Sequence, residues 1–141
     1  MNPMLELCDD RECAALEAFL IERIYEFNLR VTGYDDARLL GGSVRDAAGM
    51  VVAGFNGHTW EGCCEIAHLW VHESRRRSGL GRAMLLAAEA EAARRGCEQV
   101  VVRTHDFQAP GFYERMGYRR IAVIPGLPKD HEAIVYLKRL A

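Results

Sequence analysis

Apolar residues recur along this chain with two different periods, and the switches between them lay out its elements. Leu16, Leu20, Ile24, Phe27 and Val31 return every three or four positions, one face of an amphipathic helix. Asp9, with Glu12 three residues on, has the form of a capping box at its start. The segment Thr32-Gly33-Tyr34-Asp35-Asp36 breaks it. Ahead of the helix, residues 4–8 form a short apolar run that predicts an opening strand. Further strands are predicted at 39–45, 50–56, 65–71, 99–104, 117–124 and 133–138, with a turn at Asp46-Ala47-Ala48-Gly49 between the first two of these. The run 99–104 is read as an apolar strand on its unbroken Val100-Val101-Val102 centre, as for a strand buried on both faces. An alanine-rich helix precedes it, reaching about Arg95 and stopped by Gly96. A shorter helix fills 110–115, with Pro110 suited to a first turn.

The order βαβββαβαββ predicts a mixed α/β architecture around one right-handed strand–helix–strand crossover. Antiparallel strands before and after that unit argue against a doubly wound sheet. At 141 residues the chain is read as one domain spanning 1–141, long enough to bury its own core.

The densest chemistry lies at the crossover, in Val71-His-Glu-Ser-Arg-Arg-Arg-Ser-Gly-Leu-Gly-Arg82. Glycines where a strand feeds a helix let backbone N–H groups approach a ligand closely. The first turn of that helix adds unpaired donors and partial positive charge, which together make an anion site for phosphate or pyrophosphate. The arginines add permanent charge able to fork onto phosphate oxygens. Gly81 is followed by Arg82 and Ala83, not the Lys-Ser/Thr of a Walker loop. Met84 occupies the third-glycine position of a dinucleotide fingerprint.

What remains, Arg76-x-x-Gly79-x-Gly81 after Leu69-Trp70-Val71, resembles the acyl-CoA loop of the GNAT N-acyltransferases. A second segment, Phe107-Gln-Ala-Pro-Gly-Phe-Tyr113-Glu-Arg-Met-Gly-Tyr118, is similar to that family's Tyr-x-x-x-Gly-aromatic segment and follows the fifth strand at the expected distance. Nearly the whole chain can be laid on the family's fold. The resemblance implies a mixed central sheet flanked by helices, whose parallel fourth and fifth strands, 65–71 and 99–104, splay apart.

It further implies acetyl-CoA as cosubstrate and no metal. Backbone at Leu69, Trp70 and Val71 would meet the pantetheine, and the N–H groups of Arg77, Ser78, Gly79, Leu80, Gly81 and Arg82 the pyrophosphate. Arg76 and Arg77 are candidates for added charge. Tyr113 matches the family's general acid, a phenol able to protonate the leaving thiolate; the plainer alternative is an aromatic packed between helix and sheet. Glu65 is the candidate base, since strict alternation would put Glu65, Ala67, Leu69 and Val71 on one face. A solvated or ion-paired carboxylate is the equal alternative. His68 and Trp70 would then project to the other face, and His105 is a rival base. Where many family members carry Asn, this chain has Asp106, which cannot donate as an amide does; Gln108 is a substitute candidate.

Acceptor recognition in this fold falls to the first helix with its following loop and to 125–131. Tyr25, Tyr34, Asp35 and Asp36 would form an aromatic, acidic rim for a cationic amine; ordinary solvated loop residues are the alternative. A small-molecule amine is expected, with a protein lysine or N-terminus second. A non-catalytic acyl-CoA-binding module and a nucleotide-binding protein are the rival classes. A homodimer is a family-based expectation.

A net charge of −2 gives no bulk attraction to nucleic acid or membrane. No apolar run approaches the ~18 residues of a membrane span and the N-terminus shows no signal-peptide apolar region, so a cytoplasmic protein is expected. Its five cysteines are odd in number and lack paired Cys-x-x-Cys spacing, which predicts reduced thiols. His68 and His72 lie four apart in strand-like sequence, so no metal pair follows.

Overall fold

The computed structural model describes residues 3–140. They fall into two compact units, one running to Asp35 and one beginning at Asp36. In the first, α1 (Asp10–Thr32) begins where the Asp9 carboxylate accepts the Glu12 N–H at 2.8 Å and ends at Gly33. The strand expected at 4–8 is not formed: those residues carry no ladder. An apolar pentad fits a pleated surface only when a partner strand takes up its backbone groups. The cysteines also differ from expectation. Cys8 and Cys13 are joined by a disulfide, their Cα atoms 5.7 Å apart, because the first helical turn folds residue 13 back toward the entering chain at a spacing disulfides accept.

The second unit contains β1 (Arg38–Arg45), β2 (Val51–Trp60), β3 (Cys63–Val71), α2 (Leu80–Arg94), β4 (Gln99–His105), α3 (Pro110–Arg115), β5 (Arg119–Pro125) and β6 (Glu132–Arg139). Its sheet has the order β1-β2-β3-β4-β6-β5. Only β3 and β4 run parallel; every other neighbouring pair is antiparallel. This is the expected mixed α/β architecture, with α2 as the crossover. Cys64, Ile66, Val100, Val102, Ile134 and Tyr136 build the core with Leu85, Ala88 and Ala92 of α2 and Tyr113 and Met116 at α3. Among the described residues no helix is long and apolar enough to cross a membrane.

Two irregularities shape the sheet. The β3–β4 ladder runs from Cys63↔Gln99 to Ile66↔Val102 and then stops, although both strands continue. Beyond that point the parallel strands part. Directly after it, the β2–β3 register passes from Gly57↔Ile66 to Asn56↔His68, which leaves Ala67 as the extra residue of a β-bulge.

Gly57 permits the bulge. A Cβ there would overlap the Glu65 carbonyl oxygen and stand 3.0 Å from Ile66 Cα. Backbone is what it meets, so relief requires the ladder to shift. Gly57→Ala is expected to cost about 2–3 kcal/mol, the scale of overpacking a fitted site, read as a lower urea midpoint at unchanged slope.

Candidate active site

The bulge decides which side chains face together. Cys64 and Ile66 are buried, and after Ala67 the alternation is offset by one, so Leu69 packs against the same core. Val71 follows it on that face: its Cγ2 lies 3.9 Å from where a Gly81 Cβ would stand. Glu65, His68 and Trp70 therefore share the opposite, more open face. This corrects the expectation from strict alternation, which grouped Glu65 with Leu69 and Val71 and set His68 and Trp70 apart from it. A single inserted residue inverts every side chain after it.

On the open face, Glu65 stands opposite His58, with Oε2 3.6 Å from Nε2 and its side chain 58% exposed. Its carboxylate stands solvated beside an imidazole, the alternative weighed from the sequence. His68 Nδ1 lies 2.9 Å from Asn56 Oδ1. In β4, Val100, Val102 and Thr104 alternate toward the core, which leaves His105 on the open side at the far edge of the parting.

Backbone direction follows the same logic. His72 N–H donates to the Val52 carbonyl, so by antiparallel alternation His72 and Trp70 turn their peptide groups toward β2. Leu69 and Val71 turn theirs away from β2, toward the gap between β3 and β4. Trp70 thus has only its side chain to offer a ligand.

The loop from β3 to α2 is held by its own atoms. His72 caps a 3₁₀ turn, Glu73–Arg75, accepting the Ser74 N–H at 3.1 Å. Arg76 Nε donates to the Val71 carbonyl at 3.2 Å, and the Ser78 hydroxyl donates to the Arg75 carbonyl. Arg76 is thus a tether for the loop. Arg77 (φ 60°) and Gly79 (φ 88°) both adopt left-handed backbone, the local geometry from which anion-binding nests of N–H groups are made. Among the described residues, none of the N–H groups from Arg77 to Arg82 donates a hydrogen bond, whereas the next, Ala83, donates to the Gly79 carbonyl. Six consecutive donors thus open onto the start of α2 (Leu80–Arg94). Arg82 Nη1 reaches Met116 Sδ at 3.7 Å and ties that start to the end of α3. These donors fit a pyrophosphate, which needs backbone N–H groups and the positive end of a helix.

Tyr113 projects from α3 into the core, its ring centroid 5.1 Å from Phe112, 5.9 Å from Tyr118 and 5.8 Å from Tyr136. Burial pushes its phenol up from the usual value near 10, so the proton stays on at neutral pH. Its hydroxyl donates to no described group, yet among the described residues no sealed side-chain oxygen or nitrogen lacks a partner. The hydroxyl therefore reaches an open surface while the ring is packed. The packing role weighed for this residue is what the structure shows, and its hydroxyl is left with a proton to donate.

In the segment after β4, Gln108, named from the sequence as a substitute donor, is held through its oxygen, and Asp106 has a partner that the sequence reading missed. Gln108 Oε1 accepts from the Thr104 hydroxyl at 2.9 Å and the His105 N–H at 3.0 Å, and lies 3.2 Å from His105 Nδ1. With its oxygen so engaged, its amide NH₂ is left to donate. Asp106 Oδ1 lies 3.0 Å from His131 Nδ1, across from the loop before β6. The first was signalled by the three-residue spacing of His105 and Gln108. The second joins residues 25 apart and becomes visible only when Ala133 pairs with His105.

Tyr25 lies on α1 and Tyr34 just beyond it, both in the first unit. Asp36 Oδ1 accepts the Glu61 N–H at 3.1 Å, in the turn before β3 and at the opposite end of that strand from the parting. One oxygen of its carboxylate is engaged there.

Comparison with known proteins agrees with this fold. Residues 4–118 match the model of the Acetyltransferase (GNAT) family. The chain is 35% identical to a blasticidin-S acetyltransferase of Streptomyces morookaense, over 98% of this chain and 97% of the relative. It is 30% identical to an acetyltransferase of Agrobacterium fabrum strain C58, over 99% and 98% of the two chains. The crystal structure of an acetyltransferase from Bacillus cereus ATCC 14579 superposes with a TM-score of 0.80, at 26% identity and 98% coverage of each chain. The chain belongs to the GNAT family of acetyltransferases.

Proposed function

We propose that this enzyme transfers the acetyl group of acetyl-CoA to a primary amine carried by a small molecule. The observation that carries the reading is the parting of β3 from β4 after Ile66↔Val102, with six undonated N–H groups at one side of it. Leu69 and Val71 offer backbone to the pantetheine amides, and Arg77 to Arg82 offer N–H groups to the pyrophosphate. The Gln108 amide supplies the donor that Asp106 cannot. Tyr113 gives its proton to the departing thiolate as the C–S bond breaks. Glu65, on the open face with His58, draws the acceptor's ammonium and receives its first proton through water. A relative named as a blasticidin-S acetyltransferase, 35% identical, supports a small-molecule acceptor over a protein one.

The test is release of free CoA from acetyl-CoA across a panel of small-molecule amines and lysine peptides, beside calorimetry with acetyl-CoA alone. Turnover on at least one small amine is expected. Tight binding of acetyl-CoA without turnover on any acceptor would instead favour a non-catalytic binding module, and preference for the peptides would move the acceptor class.

A further inference from the structure

We propose that His131, oriented by Asp106, is a second catalytic base, taking the proton that the acceptor nitrogen loses as its bond to the acetyl carbon forms. This deepens the acetyl-transfer reading and rests on it. An acceptor entering as an ammonium must shed two protons to become an amide. The first leaves before attack, since only the free amine has a lone pair. The second leaves when the new C–N bond places positive charge on nitrogen, while the C–S bond breaks and the thiolate takes its proton from Tyr113. The second step needs a base at the reacting nitrogen.

The geometry of His131 suits that task. Its Nδ1 stands 3.0 Å from Asp106 Oδ1. An ionised carboxylate only accepts hydrogen bonds, so Nδ1 carries the hydrogen and donates it. In the neutral ring the lone pair is then on Nε2, directed away from the aspartate. This is the arrangement by which a carboxylate fixes the tautomer of a basic imidazole. The side chain of His131 is 45% exposed and that of Asp106 35%, so a small acceptor can reach the ring and the imidazolium can return its proton to water.

Place agrees with chemistry. His131 stands two residues before Ala133, which pairs with His105 at the end of β4, the strand that borders the gap. Phe107 lies between the two imidazoles, 5.2 Å from the His105 ring and 4.9 Å from that of His131. The loop is pinned to this position: Asp106 N–H donates to the Glu132 carbonyl, and His131 exchanges backbone hydrogen bonds with Gly126 and Pro128. Asp106 is the charged group that faces His131 within ion-pair distance among the described residues. A side chain used only to tether this loop would duplicate what its backbone already does.

The experiment uses the full chain and an amine that the wild type acetylates. His131→Gln keeps a donor toward Asp106 but cannot take up a proton at neutral pH; His131→Ala opens space beside the aspartate. Both are expected to lower kcat about 30-fold, somewhat under the usual span of general-base effects because an exposed nitrogen can also pass its proton to water. The dissociation constant of acetyl-CoA should stay within about twofold in both variants, and added free imidazole should restore much of the rate in His131→Ala alone. Full activity of His131→Gln overturns the proposal and leaves a tether. So does a loss in His131→Ala that imidazole does not relieve. A wild type inactive on every amine instead overturns the acetyl-transfer reading, and this proposal with it.

Discussion

Tyr113→Phe is expected to lower kcat about 10²-fold, the scale of a single general acid, while the dissociation constant of acetyl-CoA and the melting temperature barely move. That separation follows from the two halves of the side chain. The ring belongs to the core, stacked at 29° on Tyr136 and set edge-on to Phe112 and Tyr118, and phenylalanine keeps all of it. The hydroxyl donates to nothing else described, so its removal leaves no partner stranded. Only the proposed donor to the thiolate disappears.

A thiolate left unprotonated is the better nucleophile in the reverse direction, so the loss falls on the chemical step. The direction of the tyrosine's shift fixes the pH behaviour as well. Burial raises the phenol above its usual 10, so it remains a loaded acid at all working pH values below that. The wild-type profile should show no decline assignable to Tyr113 until above pH 10. Steady-state release of CoA from pH 6 to 10, with calorimetry on the same variant, checks both points. A Phe variant with unchanged kcat would remove Tyr113 from the chemistry and leave it as core.

The contrast between Tyr113 and Glu65 shows what sequence pattern conveys here. The caps of α1, the glycine loop and Pro110 at the start of α3 are local signals, each decided by a few neighbouring residues, and they were legible. Tyr113 was placed by its spacing from the strand before it. Glu65 was identified as a residue, but its face was misassigned, because the Ala67 bulge depends on Gly57 of another strand and leaves the apolar pattern of β3 intact. The open strand at 4–8 failed for a related reason: strand formation is a property of pairs. The disulfide between Cys8 and Cys13 depends on how tightly one turn folds, which spacing alone did not convey. The Asp106–His131 pair was illegible because it depends on β6 returning alongside β4. Side chains set by local backbone are readable from a sequence; those set by register are not.

The largest stability effect is expected away from the gap, at Lys138. Glu89 is a carboxylate buried on α2 with its side chain 10% exposed. Its Oε1 accepts from Lys138 Nζ at 2.8 Å and its Oε2 from the Tyr118 hydroxyl at 2.8 Å. Three elements meet there: α2, the start of β5 and β6. The ammonium also lies 5.5 Å from the centre of the Tyr118 ring. Lys138→Met keeps the length of the stem and deletes the charge, so Glu89 is left buried without its cation. Removing one member of a buried pair typically costs 3–5 kcal/mol; with Lys138 itself 24% exposed, about 3 kcal/mol is expected. Urea unfolding followed by circular dichroism measures it. The double variant Glu89→Gln with Lys138→Met should recover most of the loss, since a neutral amide oxygen can still accept from the Tyr118 hydroxyl and the cost is that of a stranded charge. Failure of the second substitution to rescue would mean that packing, rather than charge, governs the site. Tyr118 adds a pH signature of known sign. Burial first, and then the neighbouring Glu89 carboxylate, raise its phenol above the usual 10. The folded state therefore holds that proton more tightly than the unfolded chain does. The resulting stability is fully present below pH 10 and is lost as pH rises toward the folded value. Tyr118→Phe should be less stable at pH 7, where the hydrogen bond to Glu89 is missing, yet decline less steeply above pH 10 than the wild type.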